Sequence, residues 1–294
     1  MSKHLLNLSA TLATAVTLLA APAAQAQIAT PQASPKSTVT QRVGLTDITI
    51  VYYRPSAKGR AVFGGIVPFE KRWRTGANAS TTIKFSDDVT IEGKKVPAGE
   101  YGIYTIPRKT EWTIVLNKSL KQGADVEGFK EDQDVARIAV KPYKTGSKLE
   151  TFTINFTDLT PATANVAMEW ENTGAKFKIT ADVDSKVMAQ IDEKITKNAT
   201  PAPGDLAAAA VYYLDNNKDL KQALAWMEKA NAAEPTKFWN LNTEAKIRLK
   251  MKDYAGATKA AEASKKAALA ATPPNGEYVK MNEELMAEAK KMGK

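Results

Sequence analysis

The sequence contains no cysteine, and its only histidine among 294 residues is His4. Thiol nucleophiles and thiolate zinc sites require cysteine, so both are excluded. Ser-His-Asp triads and imidazole-ligated haem or zinc require histidine, and they are excluded as well if His4 is removed from the mature chain. The sequence also lacks a Gly-x-Ser-x-Gly elbow, a Gly-x-x-x-x-Gly-Lys phosphate loop and a Ser-x-x-Lys dyad. Paired carboxylates are the catalytic route that the composition leaves open.

The N-terminus is typical of a cleaved signal peptide over residues 1–26. Lys3 and His4 precede an apolar, uncharged stretch, and Ala24-Gln25-Ala26 is the small-x-small pattern that signal peptidase cuts. The apolar stretch is interrupted by polar residues and is too short to span a membrane. We therefore expect cleavage, loss of His4, and a periplasmic or secreted product. A flexible leader over residues 27–37 is expected to follow the cleavage point.

Basic residues outnumber acidic ones, 41 Lys and Arg against 32 Asp and Glu, which gives a formal net charge of +9. The lysines are scattered among acidic residues, and no nucleic-acid-binding motif accompanies them. The excess therefore favours solubility and weak attraction to anionic surfaces over nucleic-acid binding. No segment after the signal peptide approaches the length of a membrane span, so we expect none.

Between residues 38 and 181 the hydrophobic period is two, which is the period of half-buried β-strands. Phe152, Ile154 and Phe156, for example, alternate with polar residues. About nine or ten short strands, separated by short turns and without intervening helices, predict an antiparallel β-sandwich or a flattened barrel. Alternation alone does not choose between these two closures. Trp112 and Trp170 fall on inward positions, so we expect them in the core rather than on a binding surface.

After residue 181 the pattern changes to that of helices. An amphipathic helix is predicted over residues 182–197, a linker over 198–204 and an all-helical domain over 205–294. Asp219 and Asp253, each expected to open a helix, lie 34 residues apart, which is the period of a tetratricopeptide repeat. The resemblance is partial because the large aromatic of the first helix is out of register. An ordinary helical bundle remains the alternative.

Residues 53–82 carry six basic residues against one acid and are interrupted by glycine and proline. They predict a long structured loop, pinned to the sandwich by apolar residues such as Phe63 and Trp73. Guanidinium groups held in this way suit a carboxylate, phosphate or sulfate ligand. The alternative is that the arginines pair with backbone carbonyls and internal acids. The candidate ligand-binding residues are Arg54, Lys58, Arg60, Arg72, Trp73, Arg74 and Asn78.

Several motifs in this loop and after it occur in the same order as in a known protein family. They include Arg54-Pro55-Ser56, Lys58-Gly59-Arg60, Trp73-Arg74-Thr75-Gly76-Ala77-Asn78 and Val96-Pro97-Ala98-Gly99-Glu100-Tyr101. Over roughly residues 38–180 the sequence resembles an exported bacterial family known as domain of unknown function 2911. The resemblance implies an exported β-rich domain, often with a helical C-terminal extension. It supplies no catalytic residues.

The leading hypothesis is therefore a non-enzymatic, exported binding protein of the bacterial envelope. Its basic loop would bind an anionic or polar ligand, such as an anionic glycan or a lipid headgroup, and its helices would bind a peptide or envelope protein. We expect no cofactor and no metal. A second hypothesis is a glycoside or polysaccharide hydrolase that uses two carboxylates. Its candidate acids are Asp87, Asp88, Glu92, Glu100, Glu111, Glu169 and Glu171. The third hypothesis is a purely structural envelope component.

Overall fold

The computed structural model describes residues 30–120, 123 and 129–293, so the predicted signal peptide lies outside the described residues. The first half of the described chain is built from strands, as the alternating pattern predicts. The strands are β1 (Lys36–Val43), β2 (Thr46–Tyr53), β3 (Thr81–Phe85), β4 (Val89–Ile91), β5 (Lys94–Val96), β6 (Gly99–Pro107), β7 (Trp112–Asn117), β8 (Asp134–Val140), β9 (Tyr143–Thr157) and β10 (Thr163–Ala181).

These strands form two antiparallel sheets. One sheet has six strands in the order β1-β2-β3-β6-β7-β8, and the other has four in the order β5-β4-β10-β9. In the described part of the chain the sheets do not close into a barrel, so the sandwich is the correct one of the two predicted closures. Strand β1 begins at Lys36, which pairs with Tyr53. Strand β1 therefore includes Lys36 and Ser37, the last two residues of the predicted leader.

The two sheets bury their apolar faces against each other. Trp112 and Trp170 are both 1% exposed or less, as their inward positions predict, and Phe152 and Phe177 are fully buried with them. Tyr52 also enters this core, where its hydroxyl donates to the Ile154 carbonyl at 3.3 Å and accepts from the Ile154 N–H at 3.0 Å. The core can hold this polar group because both hydrogen-bonding functions of the hydroxyl are satisfied.

The second half of the chain is helical. The helices are α1 (Val183–Ile191), α2 (Pro203–Asp215), α3 (Leu220–Ala233), α4 (Phe238–Lys250), α5 (Tyr254–Ala270) and α6 (Gly276–Met292). Helix α1 continues into a π-helical turn over Asp192–Thr196, and together they match the predicted helix over 182–197. Asp182 caps α1 by accepting a hydrogen bond from the Ser185 N–H at 3.1 Å. No helix in the described residues is both long and apolar enough to cross a membrane.

The sandwich and the helices meet at the turn between β1 and β2. Gly44 in this turn has a φ of +58°, and a Cβ added there would lie 2.3 Å from Cγ2 of Val183. The turn thus needs glycine both for its left-handed backbone and for its close contact with α1. An ion pair between Lys186 of α1 and Asp87 of the sandwich, at 2.6 Å, adds a second link between the two halves.

The helices that follow the linker pack as successive neighbours. Asp219 caps α3 and Asp253 caps α5, so both residues of the 34-residue spacing do open helices. Ala230 and Ser264, which share that spacing, are fully buried. These features agree with two helical hairpins followed by a last helix. The assignment to tetratricopeptide repeats stays a prediction.

The cap of α5 supports a prediction about acid stability. Asp253 accepts hydrogen bonds from the Gly256 N–H at 2.9 Å and from Nη1 of Arg248 at 2.8 Å. These bonds, the backbone bond first, lower the pKa of Asp253 from its ordinary value. The stabilisation is therefore present above the unfolded-state pKa, near pH 4, and is lost as the pH falls through the lower folded-state pKa.

We expect Asp253→Ala to reduce the free energy of unfolding of the helical half by about 1 kcal/mol at pH 7. The reduction should shrink as the pH falls below the unfolded-state value, because the aspartate of the parent takes up a proton as the pH passes its lowered pKa. Urea denaturation followed by circular dichroism, at pH 7 and at an acidic pH, measures the difference. Asp253→Asn keeps a capping acceptor without the charge, so it should retain most of the stability at pH 7. An equal loss for the alanine variant at both pH values would contradict this account.

Candidate functional site

The first part of the basic loop covers the edge of the four-stranded sheet. The Ala57 N–H donates to the Glu150 carbonyl at 2.8 Å, and the Phe152 N–H donates to the Pro55 carbonyl at 2.9 Å. The Ser56 and Thr151 hydroxyls are 3.0 Å apart and share a hydrogen bond. An uncovered strand edge presents free backbone groups that pair with other chains. The Arg-Pro-Ser segment thus pairs along β9 and protects this edge.

Two of the candidate arginines hold this part of the loop in place. Arg54 donates from Nε to the Phe152 carbonyl at 3.1 Å and from Nη2 to the Thr153 hydroxyl at 2.8 Å. Arg60 donates to the carbonyls of Ala57 and Ser56 at 2.9 and 3.0 Å. Both guanidinium groups therefore bond to groups of the chain itself, as in the alternative hypothesis that the loop arginines pair internally.

Lys58 and Asn78 occupy turns with positive φ, of 49° and 56°. Lys58 is exposed, and its backbone N–H donates to the Glu150 carboxylate at 2.6 Å. The Asn78 side-chain amide donates to the Ser34 carbonyl at 3.2 Å and to the Gln32 side chain at 3.3 Å. Asn78 thus fastens the segment before β1 to the loop.

Trp73 lies in the core rather than on the surface of the loop. It is 9% exposed, and its ring stacks on Trp170 with centroids 6.1 Å apart and packs against Phe152 at 5.0 Å. The indole N–H donates to the Gly76 carbonyl at 3.0 Å. Trp73 is therefore a packing residue that anchors the second part of the loop.

The backbone around Trp73 aligns with the end of β6. The N–H and carbonyl of Trp73 exchange hydrogen bonds with Thr105 at 2.8 and 2.9 Å. Side chains alternate along such an extended segment, so Arg72 and Arg74 point away from the core that Trp73 enters. They reach the outer face of the six-stranded sheet, where Tyr104 of β6 also lies.

Arg72 meets a second arginine there. In the sheet register Tyr104 is opposite Val115 of β7, and Val115 is opposite Arg137 of β8. Nη2 of Arg72 lies 2.6 Å from Oε1 of Glu131, and Nη2 of Arg137 lies 3.1 Å from the same oxygen. Two guanidinium groups from distant parts of the chain thus converge on one carboxylate oxygen. We call Arg72, Arg137 and Glu131 the arginine cluster.

Neighbouring side chains hold both arginines in fixed positions. The Arg72 guanidinium lies 3.6 Å from the centre of the Phe129 ring, which in turn packs edge-on against Tyr104 at 4.8 Å. Nε of Arg137 donates to Asp134, whose other oxygen accepts from the Asn117 amide at 2.7 Å. The bond to Asp134 raises the pKa of Arg137. Stacking and charge-assisted bonds of this kind pre-orient a guanidinium for a planar oxyanion.

The side chains of the two arginines are less exposed to solvent than the acid that they contact. The side chain of Arg72 is 23% exposed and that of Arg137 is 39% exposed, whereas that of Glu131 is 67% exposed. Glu131 begins a short 3-10 turn, Glu131–Gln133, in which no residue is buried. The cationic side of the arginine cluster is thus built into the sandwich, while its anionic side lies at the surface.

The sequence analysis identified Arg72 but missed Arg137 and Glu131. Arg137 lies between Ala136 and Ile138, which are buried, so its outward position follows from strand alternation. Alternation predicts that Arg74 points to the same side as Arg72, and Arg74 interacts with other residues of the chain. Of the seven candidate residues, the structure brings Arg72 into the cluster and engages Arg54 and Arg60 elsewhere.

Five of the seven candidate acids of the hydrolase hypothesis bond to separate parts of the chain. Asp87 forms an ion pair with Lys186. Asp88 accepts a hydrogen bond from the Ala98 N–H, and Glu92 accepts one from the Lys178 N–H. Glu169 accepts from the Tyr143 hydroxyl, and Glu171 accepts from the Val62 N–H. Glu100 and Glu111 are exposed. These contacts fasten turns and strands. Among the described residues, they do not bring two of these acids to a common partner.

The protein is a β-sandwich with a helical extension, and the arginine cluster holds the Glu131 carboxylate at the surface of the sandwich. Residues 34–179 match the model of a family described as protein of unknown function, DUF2911. The β-sandwich half of the chain is thus similar to this family, as the motifs of the loop suggest. No curated protein and no solved structure matches the chain significantly.

Proposed function

We propose that the protein is a non-enzymatic binding protein that holds an oxyanion, a carboxylate or a phosphate, between Arg72 and Arg137. The observation that carries the proposal is that both guanidinium groups meet one exposed carboxylate oxygen, that of Glu131. In this proposal Glu131 occupies the position of the ligand oxyanion and is displaced when the ligand binds. We further propose that this binding takes place in the periplasm or outside the cell.

The energies of exposed ion pairs support such an exchange. Pairs between solvent-exposed charges are worth about 0.2–1 kcal/mol each, because water screens them and the side chains lose freedom. Displacing Glu131 from two arginines therefore costs little. An incoming carboxylate or phosphate regains charge-assisted hydrogen bonds from guanidinium groups that Phe129 and Asp134 already orient.

The helical half adds a second element to the proposal. Helices α2, α4 and α6 line a groove of about 550 Å³, with Leu214, Leu249, Leu285 and Met292 on its walls and Lys246 at its side. Lys250, Asp215 and Glu288 also line it, so its charges are of both signs. An apolar groove of this kind suits a peptide that has apolar side chains. The role of the helices in binding a peptide or protein stays a prediction.

Calorimetric titration with inorganic phosphate and with acetate, at low ionic strength, tests the oxyanion site. We expect Glu131→Gln to raise the affinity for these anions about three- to tenfold, because the Glu131 carboxylate no longer competes with them for the two arginines. Arg72→Gln and Arg137→Gln should each lower it more than about tenfold, since each removes a charged hydrogen-bond donor. Comparing the two anions shows which oxyanion geometry the site prefers.

Arg42→Gln is the matched control, because it removes the same charge from an exposed position where Asp47 is 3.9 Å away. Its affinity should stay within about twofold of the parent. Arg137→Lys provides a second variant if Arg137→Gln does not fold, since lysine keeps the charge but loses the planar fork. The proposal fails if the Arg72 and Arg137 variants bind both anions as the Arg42 variant does.

A further inference from the structure

A separate pocket of about 280 Å³ lies where the sandwich meets the helices. Its walls come from the β1–β2 turn, α1, the π-helical turn and α2. The apolar side chains and the one tyrosine that form them are Leu45, Val187, Ile191, Ile195, Ala208, Ala209 and Tyr212. Since the β1–β2 turn belongs to the sandwich and the other three parts belong to the helical half, the shape of the pocket depends on the packing of the two halves.

The size of the pocket limits what it can hold. An apolar cavity of about 150 Å³ accommodates benzene, and sites for drug-sized molecules begin near 300 Å³. A volume of about 280 Å³ therefore fits one small ligand with an apolar group the size of a phenyl ring or a branched alkyl chain. Burial of such a group on these walls would supply the main attraction.

The rim of the pocket carries one charge of each sign. Nζ of Lys194 lies 3.4 Å from Oδ1 of Asp205, and their side chains are 52% and 38% exposed. Lys194 belongs to the π-helical turn, in which the Lys197 N–H donates to the Asp192 carbonyl at 2.9 Å. Such turns within helices are frequent at functional sites.

A long, exposed ion pair of this kind is weak and can be opened by a ligand. A ligand with a single charge would pair with one rim residue and leave the other without a partner. A zwitterion satisfies both, with its carboxylate on Lys194 and its ammonium on Asp205. We infer that the pocket binds a free α-amino acid with an apolar side chain, which enters between Ile191, Ile195 and Ala209. This inference is independent of the arginine cluster.

Titration of the protein with four related compounds tests the inference. L-Phenylalanine carries both charges, 3-phenylpropionate only the carboxylate, phenethylamine only the ammonium, and 2-phenylethanol neither. We expect L-phenylalanine to bind at least about tenfold more tightly than 2-phenylethanol, with the two singly charged compounds between them. Calorimetry measures the stronger affinities, and ligand-observed NMR measures the weaker ones.

Single substitutions of Lys194 and Asp205 show which of them binds each charged group of the ligand. Lys194→Met should weaken the binding of L-phenylalanine and 3-phenylpropionate but not that of phenethylamine. Asp205→Asn should weaken the binding of L-phenylalanine and phenethylamine but not that of 3-phenylpropionate. Ala208→Trp, which fills the pocket from an exposed position on its wall, should abolish all binding. Lys197→Met is the control, because Lys197 is 72% exposed and pairs with Asp192 instead.

Three results would overturn the inference. Equal affinity for 2-phenylethanol and L-phenylalanine would show a site for neutral apolar molecules. Equal affinity for 3-phenylpropionate and L-phenylalanine would show a site for carboxylates alone. Unchanged binding in Ala208→Trp would place the ligand outside this pocket.

Discussion

We expect Trp73→Ala to lower the free energy of unfolding of the sandwich by about 3–5 kcal/mol, the usual cost of truncating a buried tryptophan. The indole packs on Trp170 and Phe152 and donates to the Gly76 carbonyl, so its removal leaves a cavity and an unpaired carbonyl. The same change should weaken phosphate binding at least about tenfold, because Trp73 anchors the segment that carries Arg72. Urea denaturation and calorimetric titration measure the two effects.

Trp239→Ala is the matched control for this prediction. Trp239 is 44% exposed on α4, so its truncation should change stability by no more than about 0.5 kcal/mol and leave phosphate binding unaltered. Following near-ultraviolet and far-ultraviolet circular dichroism together separates unfolding of the sandwich from unfolding of the helices. A Trp73 variant as stable as the Trp239 variant would contradict the anchoring role.

The second large effect is expected in the helical half, at Asn282. This side chain is fully buried on α6. Its Oδ1 accepts from the Asn242 amide at 2.9 Å, and its Nδ2 donates to the Ser264 hydroxyl at 2.8 Å. Ser264 in turn donates to the Phe238 carbonyl at 2.7 Å. The network joins α4, α5 and α6, because each of these three hydrogen bonds connects two different helices.

Asn282→Ala should destabilise the helical half by about 2–4 kcal/mol, because it leaves the buried amide of Asn242 without an acceptor and opens a small cavity. Gln222→Ala, at an exposed position on α3, should change stability by less than about 0.5 kcal/mol. A double-mutant cycle between Asn242→Ala and Asn282→Ala should give a coupling energy of about 0.5–3 kcal/mol. Additive losses would show that the two amides do not act together.

The sequence predicted the parts of the fold that depend on neighbouring residues. Alternation of apolar and polar residues located the strands, because a strand turns every second side chain to the same face. The inward positions of Trp112 and Trp170 followed from the same rule. The caps at Asp182, Asp219 and Asp253 could be predicted because a cap needs only a polar side chain before a helical pattern.

The candidate site was predictable only in part. The loop sequence indicated that arginines were concentrated there, but it could not separate Arg54, which bonds to β9, from Arg72, which reaches Glu131. That difference depends on which strand lies beside each residue. The position of Trp73 among the arginines makes it a ligand-binding candidate, while its apolar ring predicts that it pins the loop to the sandwich, and the structure buries it in the core.

The strand and helix content of this protein follows from the local pattern of its residues, and the absence of cysteine excludes thiol chemistry. The open sandwich, the contact of Arg137 and Arg72 with one carboxylate, and the position of Lys194 and Asp205 at one pocket instead depend on tertiary packing. Periodicity and capping act over only a few residues. The order of strands in a sheet and the docking of a helix bring together side chains far apart in the chain, through contacts that no local pattern encodes.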